Sequence, residues 1–265
     1  MTDAPLSTFE KVSFTAPLAG EPRTFDVFRR GAGPPVVLIQ ELPGIGPETL
    51  AFADRLVTAG FEAWLPHLFG PLGRTSSLNL VRVLCMRRAF QLFAKHRTDA
   101  IVGWLRALCA DVKSQTGAPG VGVIGMCLTG GFALAMIADD AVLAAAASQP
   151  SLPITDQSAL KLSDAEIDAS RAALDAKGAM LAFRFEGDRL CTASRFAAID
   201  AAFNDDDAPR VELHTLPGDG HAVFTLHFVD DGTGPTARAF KGLVANFHAR
   251  LTPARRATAA EESDA

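Results

Sequence analysis

Gly122-Val123-Ile124-Gly125-Met126-Cys127-Leu128-Thr129-Gly130-Gly131-Phe132-Ala133-Leu134-Ala135 reads as strand, abrupt turn and helix. An apolar run from Val121 to Ile124 stops at the small residue Gly125. Cys127 follows, then two glycines, then a helical run of Ala, Leu and Met. Such a turn holds a nucleophile proud of a parallel sheet, and its neighbours must be small for strand and helix to approach. Gly125, two places before Cys127, meets that need, whereas Thr129 stands two places after it, where the common pattern has glycine. Cys127 also opens the following helix, whose positive end favours a thiolate. The plainer reading is a buried structural cysteine beside a tight turn.

Upstream, Val36-Val37-Leu38-Ile39 is a continuous apolar run, as expected of a strand covered on both faces. It ends at Gln40-Glu41-Leu42-Pro43-Gly44-Ile45-Gly46. Ligand sites in parallel sheets lie at the carboxyl ends of strands, which places Glu41 for chemistry, against the plainer reading of a solvated loop carboxylate. Pro47 opens a helix with Leu50, Ala53, Leu56 and Val57 at helical spacing, closed by Gly60. Residues 61–66 are the next strand, and His67 reads as a loop histidine making ordinary hydrogen bonds. Residues 11–15 and 24–28 alternate at period two and predict two edge strands of a hairpin-like pair. Residues 78–93 and 98–114 predict helices. Arg74, Arg82, Arg87, Arg88, Lys95, His96 and Arg97 form a positive cluster. Its default reading is a solvated face, with one arginine binding a carboxylate as the sharper alternative.

Downstream, residues 141–147 predict a strand and Ser163-Asp164-Ala165-Glu166 a capping box that opens a short helix. Ser148-Gln149-Pro150-Ser151-Leu152-Pro153 leaves the sheet for an excursion that is too small for a separate domain but able to roof a pocket. Residues 179–185 and 211–216 complete the strands, with helices ending at Phe203 and covering 236–251. The expected organisation is an N-terminal arm (1–10), one domain (11–251) and a disordered tail (252–265). Alternating strands and helices imply an α/β fold with a mostly parallel central sheet and helices on both faces.

The 265 residues are 48% hydrophobic and carry a net charge of −5, which gives no basic surface for nucleic acid or an anionic membrane. No apolar stretch is long enough to span a bilayer, and the N-terminus lacks a signal-peptide pattern. Cys85, Cys109, Cys127 and Cys191 are scattered without a CxxC pair and read as free thiols in a reducing cytoplasm, not as a disulfide framework or zinc site. There is no tyrosine to serve as acid or oxyanion donor.

Three strand ends carry reactive residues in the order Cys127, Asp188, His221, which is the nucleophile–acid–histidine order of α/β-hydrolases. A free thiol titrates near 8.5 and needs a base. His221 can take and return the proton, and Asp188 can fix its tautomer and stabilise its charge. The backbone N–H groups of Leu128 and Leu42 lie where this fold supplies oxyanion donors. His214, inside the last strand, and Asp219, nearly adjacent to His221, are the weaker rivals for base and acid. His227 and His248 fall near the closing helix and read as surface residues.

These stretches resemble the dienelactone hydrolase family. Gln40-Glu41 with Leu42-Pro43-Gly44-Ile45 is similar to its first active-site loop. Ala59-Gly60-Phe61-Glu62-Ala63 with Leu65-Pro66-His67-Leu68-Phe69 is similar to its next helix–strand junction. Gly125-Met126-Cys127-Leu128 matches its cysteine elbow, Gly187-Asp188 its acid turn and Gly220-His221 its histidine loop. The resemblance implies a single-domain α/β-hydrolase fold that hydrolyses a small carboxylic ester or lactone through acyl-cysteine, needing no metal or organic cofactor. It also implies that Glu41 interacts with the nucleophile and helps convert a resting thiol into thiolate. Expected partners are the small-molecule substrate alone, with the chain a monomer or small homo-oligomer.

Two departures argue against dienelactone itself as the substrate. Better-known members place an arginine shortly after the histidine, whereas His221-Ala222-Val223-Phe224-Thr225-Leu226 holds none. They also use an arginine and a tyrosine around the substrate carboxylate, and the tyrosine is missing here. The alternatives to a hydrolase are a non-catalytic binding scaffold on the same fold and a thiol-based redox sensor built on Cys127.

Overall fold

The computed structural model describes residues 5–73, 98–153, 156–204 and 209–252. The expected helix at 78–93, Cys85, the cluster from Arg74 through Arg82, Arg87 and Arg88 to Arg97, and the tail from 253 on lie outside the described residues.

Eight described strands form one sheet: β1 (Glu10–Leu18), β2 (Glu21–Gly31), β3 (Pro35–Ile39), β4 (Glu62–Pro66), β5 (Val121–Met126), β6 (Val142–Ser148), β7 (Met180–Phe185) and β8 (Val211–Leu216). Their spatial order is β1-β2-β4-β3-β5-β6-β7-β8. β1–β2 and β2–β4 pair antiparallel, and the other pairs are parallel. Six described helices join them: α1 (Pro47–Thr58), α2 (Thr98–Thr116), α3 (Gly130–Met136), α4 (Asp164–Lys177), α5 (Ala193–Phe203) and α6 (Pro235–Leu251). This is the mostly parallel α/β architecture that the alternating pattern implies.

The sheet separates two apolar cores. Val37 and Ile39 of β3 face one, shared with Trp104, Leu105 and Leu108 of α2, the α3 residues and Phe196 of α5. Val36 and Leu38 face the other, shared with Phe52, Ala53 and Leu56 of α1 and Leu243, Phe247 and Leu251 of α6. Val36, Val37, Leu38 and Ile39 are all fully buried, which is why that strand reads as an unbroken apolar run.

β2 is not an edge strand. Its eleven residues are long enough to pair on both sides: residues 21–29 with β1 and residues 27–31 with β4. β1 alone is the edge on that side. The hairpin is fastened to the domain by α2: Trp104 sits edge-on between Phe14 and Phe25, at 5.2 and 5.0 Å, and its Nε1 donates to the Arg23 carbonyl at 3.0 Å. The expected capping box is present at α4. Glu166 N donates to Ser163 Oγ at 3.3 Å, and Ser163 N donates to Glu166 Oε2 at 2.8 Å. Among the described residues, no helix is long and apolar enough to cross a membrane.

Candidate active site

Sheet register brings the expected residues to one edge. Ile39 pairs with Gly125, Met126 with Ser148, Ser148 with Phe183, and Phe185 with Leu216. Two steps past Ile39 is Glu41, two past Gly125 is Cys127, and one past Ser148 is Gln149. Asp188 and His221 follow in the turns beyond β7 and β8. All five therefore leave the sheet at its carboxyl edge, the end where parallel sheets place ligand sites.

Cys127 has φ of 54°, a left-handed conformation that a cysteine adopts only when its surroundings impose it. It does not open α3 directly. A single 3₁₀ turn, Cys127–Thr129, stands between strand and helix, and α3 is only seven residues long. Thr129 supplies the reason. Its hydroxyl accepts from Met126 N at 2.9 Å and lies 2.9–3.3 Å from the carbonyls of Met126, Ile39 and Gln40, so it can donate to one of them. The side chain thus stitches the elbow to the end of β3. Gly125 is required because a methyl there would meet the Thr129 carbonyl oxygen, and Gly130 because one would meet the Pro150 backbone. The Cys127 carbonyl accepts from Ser151 N at 3.0 Å.

Asp188 is held from three sides. Its Oδ1 accepts from Leu190 N at 2.8 Å and Cys191 N at 3.1 Å, while Oδ2 lies 2.8 Å from His221 Nδ1. Burial raises its pKa, but the His221 ring and the two amides outweigh that and hold it below the usual carboxylate value. For His221, burial works against the charged form. Asp188 and Cys127 overcome it and lift the pKa to about 10. The second ring nitrogen, Nε2, is buried and makes no hydrogen bond of ordinary geometry. Cys127 is among the groups that raise this pKa, so the thiol lies close to the ring.

Glu41 is buried at the same edge. A hydrogen bond joins its Oε1 to the Thr225 hydroxyl, and Gln149 Nε2 donates to Oε2 at 3.0 Å. Burial pushes its pKa up, and the hydrogen bonds with His221 nearby only partly offset this. Thr225 lies four places after His221, in the loop where the sequence has no arginine. Sequence reasoning missed both Thr225 and Gln149. Leu42 and Leu128 directly follow Glu41 and Cys127, so their amides flank the same two strand ends. Leu128 is buried and Leu42 partly so.

Sequence reasoning also missed two buried arginines. Arg184 of β7 donates to the carbonyls of Phe185, Glu186 and Cys191 at 2.8–3.3 Å and lies over Phe196 at 5.5 Å, so it clamps the turn that carries Asp188. Arg195 of α5 donates to the carbonyls of Pro153, Asp156 and Ala159 and thereby pins the excursion after β6. The remaining described histidines have structural partners. His214 stacks on Phe183 at 5.0 Å, His67 Nε2 lies 3.0 Å from the Gly70 carbonyl, and His248 Nε2 lies 2.8 Å from the Ala59 carbonyl. His227 is exposed, as expected, and its Nδ1 accepts from the backbone N–H of His221 and Ala222 at 3.3 and 3.1 Å. Asp219 packs against Gly187. Cys109, Cys127 and Cys191 are free thiols, and burial pushes the pKa of Cys109 and Cys191 up.

Comparison with known proteins follows this geometry. The model of the dienelactone hydrolase family matches residues 25–235. Among solved structures, a cold-adapted esterase from an Arctic intertidal metagenomic library is 16% identical, with a TM-score of 0.60 over 92% of this chain and 95% of that one. A dienelactone hydrolase from Anabaena variabilis is 14% identical, with a TM-score of 0.55 over 92% and 99%. A dienelactone hydrolase-like promiscuous phosphotriesterase from metagenomic libraries is 15% identical, with a TM-score of 0.59 over 92% and 99%. These likenesses establish the α/β-hydrolase fold. Among curated proteins, none matches the chain.

Proposed function

The chain belongs to the dienelactone hydrolase family, whose members act on ester and lactone bonds, and from that premise we propose that it hydrolyses a small carboxylic ester or lactone through an acyl-cysteine at Cys127. One observation carries this reading. Asp188 orients His221 through Nδ1, and the same ring interacts with Cys127, which stands in the elbow conformation. A nucleophile, a base and an orienting carboxylate in that relation suit acyl transfer.

The steps balance on one proton. His221 Nε2 holds the proton that the Cys127 thiol gives up, and the imidazolium is stabilised by Asp188. The thiolate attacks the carbonyl carbon. The backbone N–H groups of Leu128 and Leu42 receive the developing oxyanion. Collapse breaks the carbon–oxygen bond, and His221 returns the proton to the leaving alkoxide. For a lactone this hydroxyl stays attached to the acyl group. Water, deprotonated by the now neutral His221, attacks the thioester and releases the acid. Glu41 completes the set of working residues at the nucleophile. The working domain runs from residue 11 to residue 251.

The test is turnover of p-nitrophenyl acetate and a panel of small lactones by wild type, Cys127→Ala and Cys127→Ser. Turnover lost in Cys127→Ala is expected. No turnover with Cys127 still rapidly labelled by iodoacetamide would favour a thiol sensor. The burial that pushes the Cys191 thiol pKa up weighs against it as a resolving partner. An inert Cys127 with no turnover would leave a binding scaffold.

A further inference from the structure

Gln149 has no assigned part in the reaction, yet it joins Glu41 to the loop that carries His221. It stands at the exit of β6, fully buried, with φ of 37°. Its backbone N–H donates to the Phe183 carbonyl at 2.7 Å, and its carbonyl accepts from Ser151 Oγ at 2.8 Å. Its side-chain Oε1 accepts from Val223 N at 3.3 Å and from the Ser148 hydroxyl. A backbone N–H can only donate, so this contact fixes which end of the amide is which. Nε2 must then donate to Glu41 Oε2, making that oxygen an acceptor.

Glu41 Oε1 faces the Thr225 hydroxyl, which has no other partner among the described residues. Either group can supply the hydrogen of this bond. No arginine or lysine bonds to Glu41 among the described residues. The charged groups facing it are His221 of the β8 loop and Glu48 of α1. A carboxylate buried with neutral donors and no bonded cation is costly, and the protonated form relieves that cost.

We propose that Glu41 works as a neutral carboxylic acid whose proton is held on Oε1 against Thr225 Oγ. In this arrangement Gln149 is the positioning residue that fixes Glu41 there and ties it to the His221 loop at Val223. The functional consequence rests on the reading of Cys127 as nucleophile. A neutral Glu41 adds no second negative charge beside the thiolate, so imidazolium and thiolate pair with each other alone. One proton moves, from Cys127 Sγ to His221 Nε2, and that of Glu41 stays in place.

Infrared difference spectra between wild type and Glu41→Gln, taken on the full chain at neutral pH without substrate, isolate the Glu41 bands. The carbonyl stretch of a protonated carboxyl group is expected, and carboxylate stretches in its place would overturn the proposal. In Gln149→Met, which keeps the length and removes the amide, that band should shift. There kcat should fall roughly ten- to a hundredfold, with KM within about twofold. An unmoved band with unchanged kcat would refute the positioning role. Should circular dichroism show that variant unfolded, Thr225→Val and Thr225→Ser carry the test. Valine should shift the Glu41 band and serine restore it, and a band indifferent to both would overturn the assignment. The readings fail separately. Turnover that survives Cys127→Ala defeats the acyl-cysteine, whereas the Glu41 band is read with no turnover at all.

Discussion

Asp188 Oδ2 lies 2.8 Å from His221 Nδ1, while its other oxygen takes the amides of Leu190 and Cys191. The carboxylate is therefore fully engaged before any substrate arrives. Its orientation depends on the turn around it, and the ring's orientation depends on the carboxylate.

Asp188→Asn should keep the fold and spoil the tautomer, because an amide Nδ2 in place of Oδ2 presents a donor to a nitrogen that must itself donate. We expect kcat/KM to fall about 10²–10⁴-fold. The His221 pKa should drop from its raised value near 10, as read by NMR titration of the ring. An Asn variant of full activity would remove Asp188 from the triad.

Stability should decline with rising pH across the histidine window. The folded-state pKa of His221 is raised from 6.5 to about 10, so between those values the folded chain holds more protons than the unfolded one. The stabilisation is complete below about 6.5 and is lost as pH climbs through about 10. The raised pKa of Glu41 adds to the decline above its ordinary value of 4.5. Asp188, whose pKa is lowered, acts oppositely and gives up its share on acidification below 3.8. Urea midpoints measured across this range should fall with pH, and more shallowly in Asp188→Asn. A midpoint that rises would contradict the assignment.

Two glycines near the elbow should respond with opposite signs. Gly125→Ala drives a methyl into the Thr129 carbonyl and should cost about 1–3 kcal/mol. Gly131, inside α3 with open space where a methyl would point, should gain about 0.4–1 kcal/mol on replacement by alanine. Denaturation midpoints of the two variants decide it, and equal effects would show that the close approach at Gly125 is not real.

Arg195→Met should loosen the excursion after β6. The substitution removes the donors to Pro153, Asp156 and Ala159, and hydrogen bonds from charged groups contribute about 1.5–3 kcal/mol each. Faster cleavage by a broad-specificity protease within this stretch is expected while β-sheet content, read by circular dichroism, is kept. Unaltered cleavage would mean that other contacts hold the segment.

What could be read in advance follows the range of the forces involved. The β3 and β5 runs declare themselves because burial on both faces demands apolar side chains without interruption. The elbow declares itself because a strained turn needs small neighbours at fixed offsets. β2 was misplaced at the edge because alternation reports which face is buried and is silent about how many neighbours a strand has. Thr129 looked like a flaw in the motif, yet its hydroxyl ties the turn to β3, a contact ninety positions away in the chain for Ile39. Gln149 and Thr225 carry no spacing signal at all, since a buried amide and a hydroxyl acquire meaning only from the carboxylate they meet. Arg184 and Arg195 were equally silent, because arginines that bind backbone carbonyls leave no complementary acid to be found in the sequence.

Thr225 meets Glu41 across 184 positions of chain, and Gln149 meets it across 108. Closing loops of that size is entropically costly, so such contacts belong to the last stages of assembly. A nascent polypeptide that has delivered its elbow still lacks the histidine, the acid and the hydroxyl that come after it. The thiol is therefore born idle. Its acyl-transfer chemistry waits until the final strand docks and brings the histidine to the elbow, which ties the working of Cys127 to the completion of folding.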